Sequence, residues 1–298
     1  MKIGLVTVTY NSESVLADFL QSVKNQTYNN YCLYVVDNDS KDKTKKLLQA
    51  EANIQRINNE DNLGVAYANN QGVKLALKDG CDFVLLVNND TVFEKELLNK
   101  LLGTYNKLGH SIIVPKMKYF DSKLIWFAGG FFNTKKAFLN YHRGQGEKDE
   151  GLYKDGLIDY APICCALIHK SVFDDIGFFD EKFFVYFDDA DFFFRVKKNK
   201  KHKVFYINDV DFHHKIGSLS KSREKRDKNK YSPFFIQQMT KNHVYFLRKQ
   251  KTLFASFLLL YVFFYFIARF FISSSFSKDG NTFKLILSSY FNGFKIKV

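Results

Sequence analysis

Tyr31-Cys32-Leu33-Tyr34-Val35-Val36-Asp37-Asn38-Asp39-Ser40, read beside Phe83-Val84-Leu85-Leu86-Val87-Asn88-Asn89-Asp90-Thr91, decides the fold of this chain. In each stretch an apolar, β-branched run that reads as a buried strand breaks off into Asp, Asn, Ser or Thr. The same event happens twice more. Ile3–Thr9 runs into Tyr10 and Asn11, and Ile54–Asn58 runs into Asn59-Glu60-Asp61-Asn62-Leu63-Gly64. Between these strands, Val15–Val23, Lys45–Ala52 and Ala66–Leu77 carry helical periodicity, the last through Ala66, Val73, Ala76 and Leu77. Strands alternating with helices predict an α/β fold: a Rossmann-like, mostly parallel sheet flanked by helices on both faces. Such sheets bind ligands beyond the carboxyl ends of their strands. One polar cluster there would be an ordinary cap or turn. Four of them, delivered to one edge by successive strands, read as a shared binding edge.

The totals narrow the function. With 298 residues, 46% hydrophobic and 17% aromatic, the chain has ample apolar surface for a core and is not expected to be disordered. Cys32, Cys81, Cys164 and Cys165 lie on or beside apolar runs without zinc spacing, and read as reduced thiols of a cytosolic protein. Met1-Lys2-Ile3 leads straight into a strand, so export is not expected. No G-x-G-x-x-G follows the first strand and no phosphate-loop motif occurs, which disfavours a dinucleotide fold and a P-loop NTPase. The net charge of +13 is concentrated: from Lys215 to Val298 there are 16 Lys/Arg and 3 Asp/Glu, so residues 1–214 are neutral.

The ordered set of motifs resembles family-2 glycosyltransferases of the GT-A fold. It comprises Val6–Ser12, Gln26-Thr27-Tyr28, Val35–Ser40, Asn62–Ala66 with Asn69–Gly72, Leu86–Thr91, Gly177–Phe184, Tyr186–Asp191 with Arg195, and His214–Ser218. The Asn62 and Leu86 segments are similar to the rhamnosyltransferase-like branch. This resemblance runs from residue 3 to about 250 and implies roles. Asp37 would accept from the pyrimidine of a nucleoside-diphosphate sugar, with Thr9 and Asn11 framing base and ribose. Tyr10, Asn38, Ser40, Asn62, Gly64, Asn69, Asn88 and Asn89 would complete the donor site. Asn88-Asn89-Asp90 stands where the family carries its D-x-D motif, so Asp90 is the expected ligand to Mg²⁺ or Mn²⁺. His214, or His213 one residue before it, would be the second. Asp189 would be the general base and Asp188 its neighbour in acceptor binding. Close carboxylates raise one another's pKa, which suits a base, although acids at a helix start also stabilise the helix unaided. Asp191 and Trp126 are further acceptor candidates; Trp126 either stacks on a sugar or packs in the core. Lys215 and the run Lys221–Arg226 could cover the diphosphate, though a solvated loop is the simpler reading of the run. Asp159–Cys165 departs from relatives near Ile163, where a glycine is usual.

Leu253–Ala268 is an uncharged, mostly apolar run, ended by Arg269 and flanked by Arg248, Lys249 and Lys251 before it and Lys278, Lys284, Lys295 and Lys297 after it. That pattern fits interfacial attachment to a membrane, and a single span or a soluble packing helix stays open. Nucleic-acid binding would not need so much apolar surface. The expected layout is therefore a nucleotide-sugar half at 1–110, an acceptor and catalytic half at 111–230, and a basic, aromatic, membrane-associated helical tail at 231–298. The expected activity is inverting transfer from a sugar nucleotide to a glycan or polyprenyl-diphosphate-linked acceptor at the cytoplasmic face of the membrane. Oligomeric state stays open. The rivals are a sugar nucleotidyltransferase, whose Gly-rich triphosphate loop is missing after Thr9, and a non-catalytic glycan-binding protein, against which Asp37, Asp90, Asp189 and His214 speak.

Overall fold

A computed structural model describes residues 1–215 and 229–298. They carry strands β1 (Ile3–Thr9), β2 (Tyr31–Asp37), β3 (Ile54–Asn58), β4 (Phe83–Val87), β5 (Thr91–Phe93), β6 (Ile112–Pro115), β7 (Met117–Tyr119), β8 (Ile125–Phe127), β9 (Gly130–Asn133), β10 (Leu139–His142), β11 (Gly156–Ile158), β12 (Cys165–His169), β13 (Val204–Ile207) and β14 (Phe212–His214). The α-helices are α1 (Leu16–Lys24), α2 (Thr44–Gln49), α3 (Val65–Lys78), α4 (Leu97–Leu108), α5 (Lys170–Ile176), α6 (Asp188–Asn199), α7 (Pro233–Lys249), α8 (Leu253–Ile272) and α9 (Gly280–Lys295).

The chain divides into two compact units. The first, residues 1–132, 140–181 and 189–219, is built on an eight-stranded sheet of order β11-β13-β6-β12-β4-β1-β2-β3. Half of it is the parallel sheet read from the sequence: β3, β2, β1 and β4 all run one way. The other half is mixed. β12 enters between β4 and β6 antiparallel to both, and β11 is antiparallel to β13. The run Cys165-Ala166-Leu167-Ile168 is buried throughout, as a central strand covered on both faces must be. This insertion puts residues on both sides of 110/111 into one sheet.

α3 lies tight on that sheet because its inner face is small. A Cβ on Gly72 would meet Val6 Cγ1 at 2.5 Å. The helix starts at Gly64, whose φ of +88° an L side chain rarely adopts. Asn70 then pins it: its amide donates to Phe179 O (2.9 Å) and Glu181 Oε1 (2.9 Å), and its oxygen accepts from Phe179 N (3.0 Å). A second, four-stranded sheet of order β5-β14-β7-β8 completes this unit and sets His214 in register with Thr91.

The second unit holds residues 133–139, 182–188 and 220–298, with α7, α8 and α9 as its body. Each helix has a local start signal. Ser232 caps α7 ahead of Pro233, Thr252 caps α8 through Ala255 N (3.1 Å), and Asp279 caps α9 through Thr282 N (2.7 Å). Phe183, Tyr245 and Phe246 are fully buried here, each contributing roughly 1.5–3 kcal/mol of apolar burial. Tyr186 and Phe187 take left-handed φ values of 64° and 70° immediately before α6. The Asn242 side chain holds that turn by donating to Val185 O and Tyr186 O, both at 2.9 Å.

Candidate active site

The edge expected to hold the donor is built by side chains bonding to one another across strand ends. Thr9 Oγ1 donates to Asp37 Oδ1 (2.8 Å), Ser40 N donates to Asp37 Oδ2 (3.0 Å), and Lys45 Nζ lies 3.8 Å away. Asp37 is thus a buried carboxylate whose charge is matched from behind. Asn11, at φ +53°, receives Lys41 N on its side-chain oxygen (2.8 Å) and gives its own N–H to Ser40 Oγ (2.9 Å). Tyr10 sits between Thr9 and Asn11, half-buried. Asn38 Oδ1 accepts from Asn59 Nδ2 (3.0 Å) and Leu63 N (3.1 Å), and Asn38 Nδ2 donates to Asn62 Oδ1 (2.8 Å). Asn62 Oδ1 also takes Gly64 N (3.1 Å). Asn38, Asn62 and Gly64 are therefore brought together, with much of their polar capacity spent on shaping the loop. Asn69 is buried on α3 beside the anchoring Asn70.

At the end of β4, Asn88 N donates to Cys164 O (3.1 Å) and Asn88 O accepts from Thr91 Oγ1 (2.6 Å). Asn89 Nδ2 donates to Val8 O (2.5 Å), while its buried Oδ1 has no partner among the described residues. Register then joins residues 124 apart in sequence (214 − 90). Because β14 pairs with β5, His214 Nε2 lies 3.1 Å from Asp90 Oδ1, and Lys215 N donates to Asp90 O (2.8 Å). His214 Nδ1 is buried without a partner among the described residues. Neighbouring side chains on a strand point to opposite faces, so His213 turns away and places Nε2 3.0 Å from Asp211 Oδ1. Lys215 Nζ pairs with Asp18 and lies over Phe120. Ile216-Gly217-Ser218 and Lys221–Arg226 lie outside the described residues.

From His214 an aromatic wall runs to the carboxylate of α6. Trp126 meets His214 edge-to-face at 4.6 Å and His142 at 5.0 Å between ring centroids. His142 stacks on Tyr160 (5.8 Å), and Tyr160 Oη donates to Asp189 Oδ2 (2.5 Å). Burial lowers His142 to a pKa of about 4, against an opposing hydrogen bond to Trp126 O, so it is neutral at physiological pH. Burial also raises Asp189 above the ordinary carboxylate range, against hydrogen bonds from Tyr160 and the backbone. The buried Cys164 thiol is pushed well up by burial first, then by Cys165, Asp90 and Asp189. Asn88 N, at the end of β4, bonds Cys164 O, and Tyr160, four residues before Cys164, bonds Asp189 at the start of α6, so one short segment links the two ends.

Asp188 opens α6 and is buried beside Asp189. Asp191 goes elsewhere: its carboxylate holds Arg195 Nε (2.9 Å), and Arg195 donates to Ile176 O and Phe178 O. Asp191 thereby fastens α6, through Arg195, to the carboxyl end of α5 and the residues after it. Tyr160 and His142 were not singled out from the sequence. Tyr160 lies inside the unusual Asp159–Cys165 segment, but only folding brings its hydroxyl to Asp189, and His142 carries no sequence signal at all.

Among the described residues, no three His, Cys, Asp or Glu side chains converge on one point. A divalent cation binding beside a diphosphate needs only one or two protein ligands and takes the rest from phosphate oxygens and water. Asp90 and His214, whose Nε2 lies 3.1 Å from Asp90 Oδ1, fit that donor set.

The family model "Glycosyl transferase family 2" matches residues 5–177. The chain is similar to the low-salt glycan biosynthesis hexosyltransferase Agl10 of Haloferax volcanii, 23% identical over 197 residues; the match covers 66% of this chain and 62% of the relative's length. It is also similar to the UDP-Glc:alpha-D-GlcNAc-diphosphoundecaprenol beta-1,3-glucosyltransferase WfgD of Escherichia coli, 32% identical over 101 residues, 33% of this chain and 38% of that one. The fold matches the crystal structure of GalNAc-T7 with UDP, GalNAc and Mn²⁺ at a TM-score of 0.62 and 14% identity, over 83% of this chain and 48% of that one. The nucleotide-type sheet, its strand-end clusters and the match over residues 5–177 agree: this chain is a GT-A-type member of glycosyl transferase family 2.

Proposed function

We propose that this chain moves a sugar from a nucleoside-diphosphate donor onto a hydroxyl of a glycan or polyprenyl-diphosphate-linked acceptor, with inversion at the anomeric carbon, in cell-surface polysaccharide synthesis at the cytoplasmic membrane face. The observation that carries this reading is the continuous wall from the Asp90–His214 pair through Trp126 and His142 to the Tyr160–Asp189 pair.

In this reading Asp37, Thr9, Tyr10, Asn11 and Ser40 hold the nucleoside, while Asn38, Asn62, Gly64 and Asn69 shape the rim around it. Asn88 and Asn89 face the donor near the diphosphate. Asp90 and His214 would hold a Mg²⁺ or Mn²⁺ ion, whose charge would offset that of the departing diphosphate. Asp189 takes the proton from the acceptor hydroxyl as its oxygen bonds to the anomeric carbon, and the carbon–oxygen bond to the diphosphate breaks with its electron pair on the leaving group. Burial makes this carboxylate a stronger base, and the Tyr160 hydroxyl orients it and opposes part of that rise. Asp188 and Trp126 contact the acceptor. His142, being neutral, adds no charge to the wall.

The motifs at Asn62 and Leu86 support a dTDP-rhamnose donor. A second reading, a UDP-hexose, is supported by the names of the relatives, a hexosyltransferase and a UDP-Glc-dependent glucosyltransferase. The test is a panel of dTDP- and UDP-sugars with Mn²⁺ or Mg²⁺, scored for release of nucleoside diphosphate and, by NMR, for the anomeric configuration of the product. One donor should be cleaved, with inversion, and Asp90→Asn should abolish the reaction at low cation concentration. No cleavage of any donor, or a retained anomer, would overturn the proposal.

A further inference from the structure

The helical unit carries an observation independent of the transfer chemistry. α8 is 20 residues long, with a mean hydropathy of 2.1 in its most apolar stretch and only 28% of that stretch buried. Its two faces differ in partner, not in polarity. Ala255, Leu258, Val262, Phe266 and Phe270 recur at helical spacing and are buried. On the opposite side Leu253, Phe257, Leu260, Phe264, Phe271 and Ile272 face outward, with Phe257 at 74% and Phe264 at 59% exposure. A contiguous aromatic and aliphatic stripe of this length in water marks an interaction surface.

Charge identifies what covers it. Residues 229–298 hold ten Lys/Arg and a single acid, Asp279. Lys251 stands exposed just before the amino end of α8 and Lys278 shortly after its carboxyl end, while Lys284 and Lys295 lie on the exposed side of α9. A second copy of the chain would bring this basic surface against itself. An anionic lipid surface complements both the stripe and the charge.

The packing of α8 also decides how it meets lipid. Tyr290 Oη of α9 donates to Leu259 O (2.9 Å) near the helix middle, and Arg248 of α7 caps α9 through Gly293 O (2.9 Å) and Ile296 O (2.7 Å). A spanning α8 would carry α9, with Lys284, Asn292 and Lys295, into the hydrocarbon, where charged groups are strongly disfavoured. Arg269, within α8 itself, bonds Tyr265 Oη (3.1 Å) and stacks with Tyr231 and Phe276. We propose that the outward face of α8 seats this chain in the plane of an anionic bilayer, inserted to headgroup depth and not across it.

Flotation of the full chain with vesicles tests this without any nucleotide, so failure of the donor panel leaves its outcome untouched. The chain should float with phosphatidylcholine vesicles containing about 30% phosphatidylglycerol, several-fold more than with pure phosphatidylcholine. The double variant Phe257→Ser/Phe264→Ser should lose about tenfold or more of that binding while its melting temperature stays unchanged, since both side chains are exposed. Lys284→Glu/Lys295→Glu should erase the preference for anionic lipid. In Leu260→Trp, corrected for Trp126, bromines near the headgroups should quench the new fluorescence more than bromines at the chain ends. Stronger quenching from the chain ends would mean a span and overturn the proposal. So would unchanged flotation of the Phe257/Phe264 variant, or a wild-type dimer in light scattering that this variant abolishes without any vesicle binding.

Discussion

Two polar clusters of the first unit differ in one respect. At the amino ends of β6 and β13, His202 Nδ1 pairs with Ser111 Oγ (3.0 Å) and His202 Nε2 with Asp175 Oδ2 (2.7 Å), while Lys201 closes on Asp175 (2.6 Å). Written out, Ser111, His202 and Asp175 have the composition of a catalytic triad. Yet His202 is buried with both ring nitrogens occupied, and Asp175 is held below the usual carboxylate range by Lys201 and then His202. At the carboxyl ends of β1, β4 and β14, by contrast, Asn89 Oδ1 and His214 Nδ1 are buried without partners among the described residues, and Asp189 is raised by burial. A satisfied cluster ties elements together. Polar atoms left unpaired inside a protein are costly and need an explanation, which a bound ligand would supply at this cluster.

The largest expected effect breaks the open cluster. Asp189→Asn removes the proposed proton acceptor and should lower kcat by about 10²–10⁴-fold, the range of general-base contributions. The same variant should melt higher at pH 8. A carboxylate raised in the folded state costs stability above its folded pKa, and that cost vanishes below its unfolded value. The gain in melting temperature should therefore shrink as the pH falls. Loss of activity together with a lower melting temperature at pH 8 would reassign Asp189 to structure.

His202→Ala addresses the closed cluster. It leaves Ser111 Oγ without its partner and a void behind it, and should cost about 1–3 kcal/mol in chemical denaturation while kcat/KM stays within about twofold. A large drop in kcat/KM at unchanged stability would mean that the triad-like cluster is functional after all. The smallest effect sharpens the comparison. Tyr160→Phe deletes the hydroxyl that favours ionised Asp189, so its pKa should rise further and the acid limb of the kcat/KM profile should move to higher pH. Activity should fall by about two- to tenfold on the acidic side and converge with wild type on the alkaline side. A uniform loss at every pH would indicate displacement of Asp189, with no change in its titration.

Much of this was legible in one dimension, and the missing parts share a cause. The strands Ile3–Thr9, Tyr31–Asp37, Ile54–Asn58 and Phe83–Val87 form with the bounds their apolar runs imply, and the helices between them lie within a few residues of expectation. Helix α2, expected over Lys45–Ala52, instead runs Thr44–Gln49, with Asp42 accepting from Thr44 N (3.0 Å). The parallel order broke down at β12, because a short buried run does not declare its direction.

Periodicity, strand-end composition, the family motifs and the one-sided basic charge belong to the sequence by itself, since each is a property of neighbours along the chain. Which of His213 and His214 faces Asp90, that Asp191 serves Arg195, that Tyr160 reaches Asp189, and which side of α8 is left bare were decided only by tertiary structure. Those facts depend on strand register and helix rotation. Both are set by packing between segments far apart in sequence, where a shift of one residue would turn each side chain to another face.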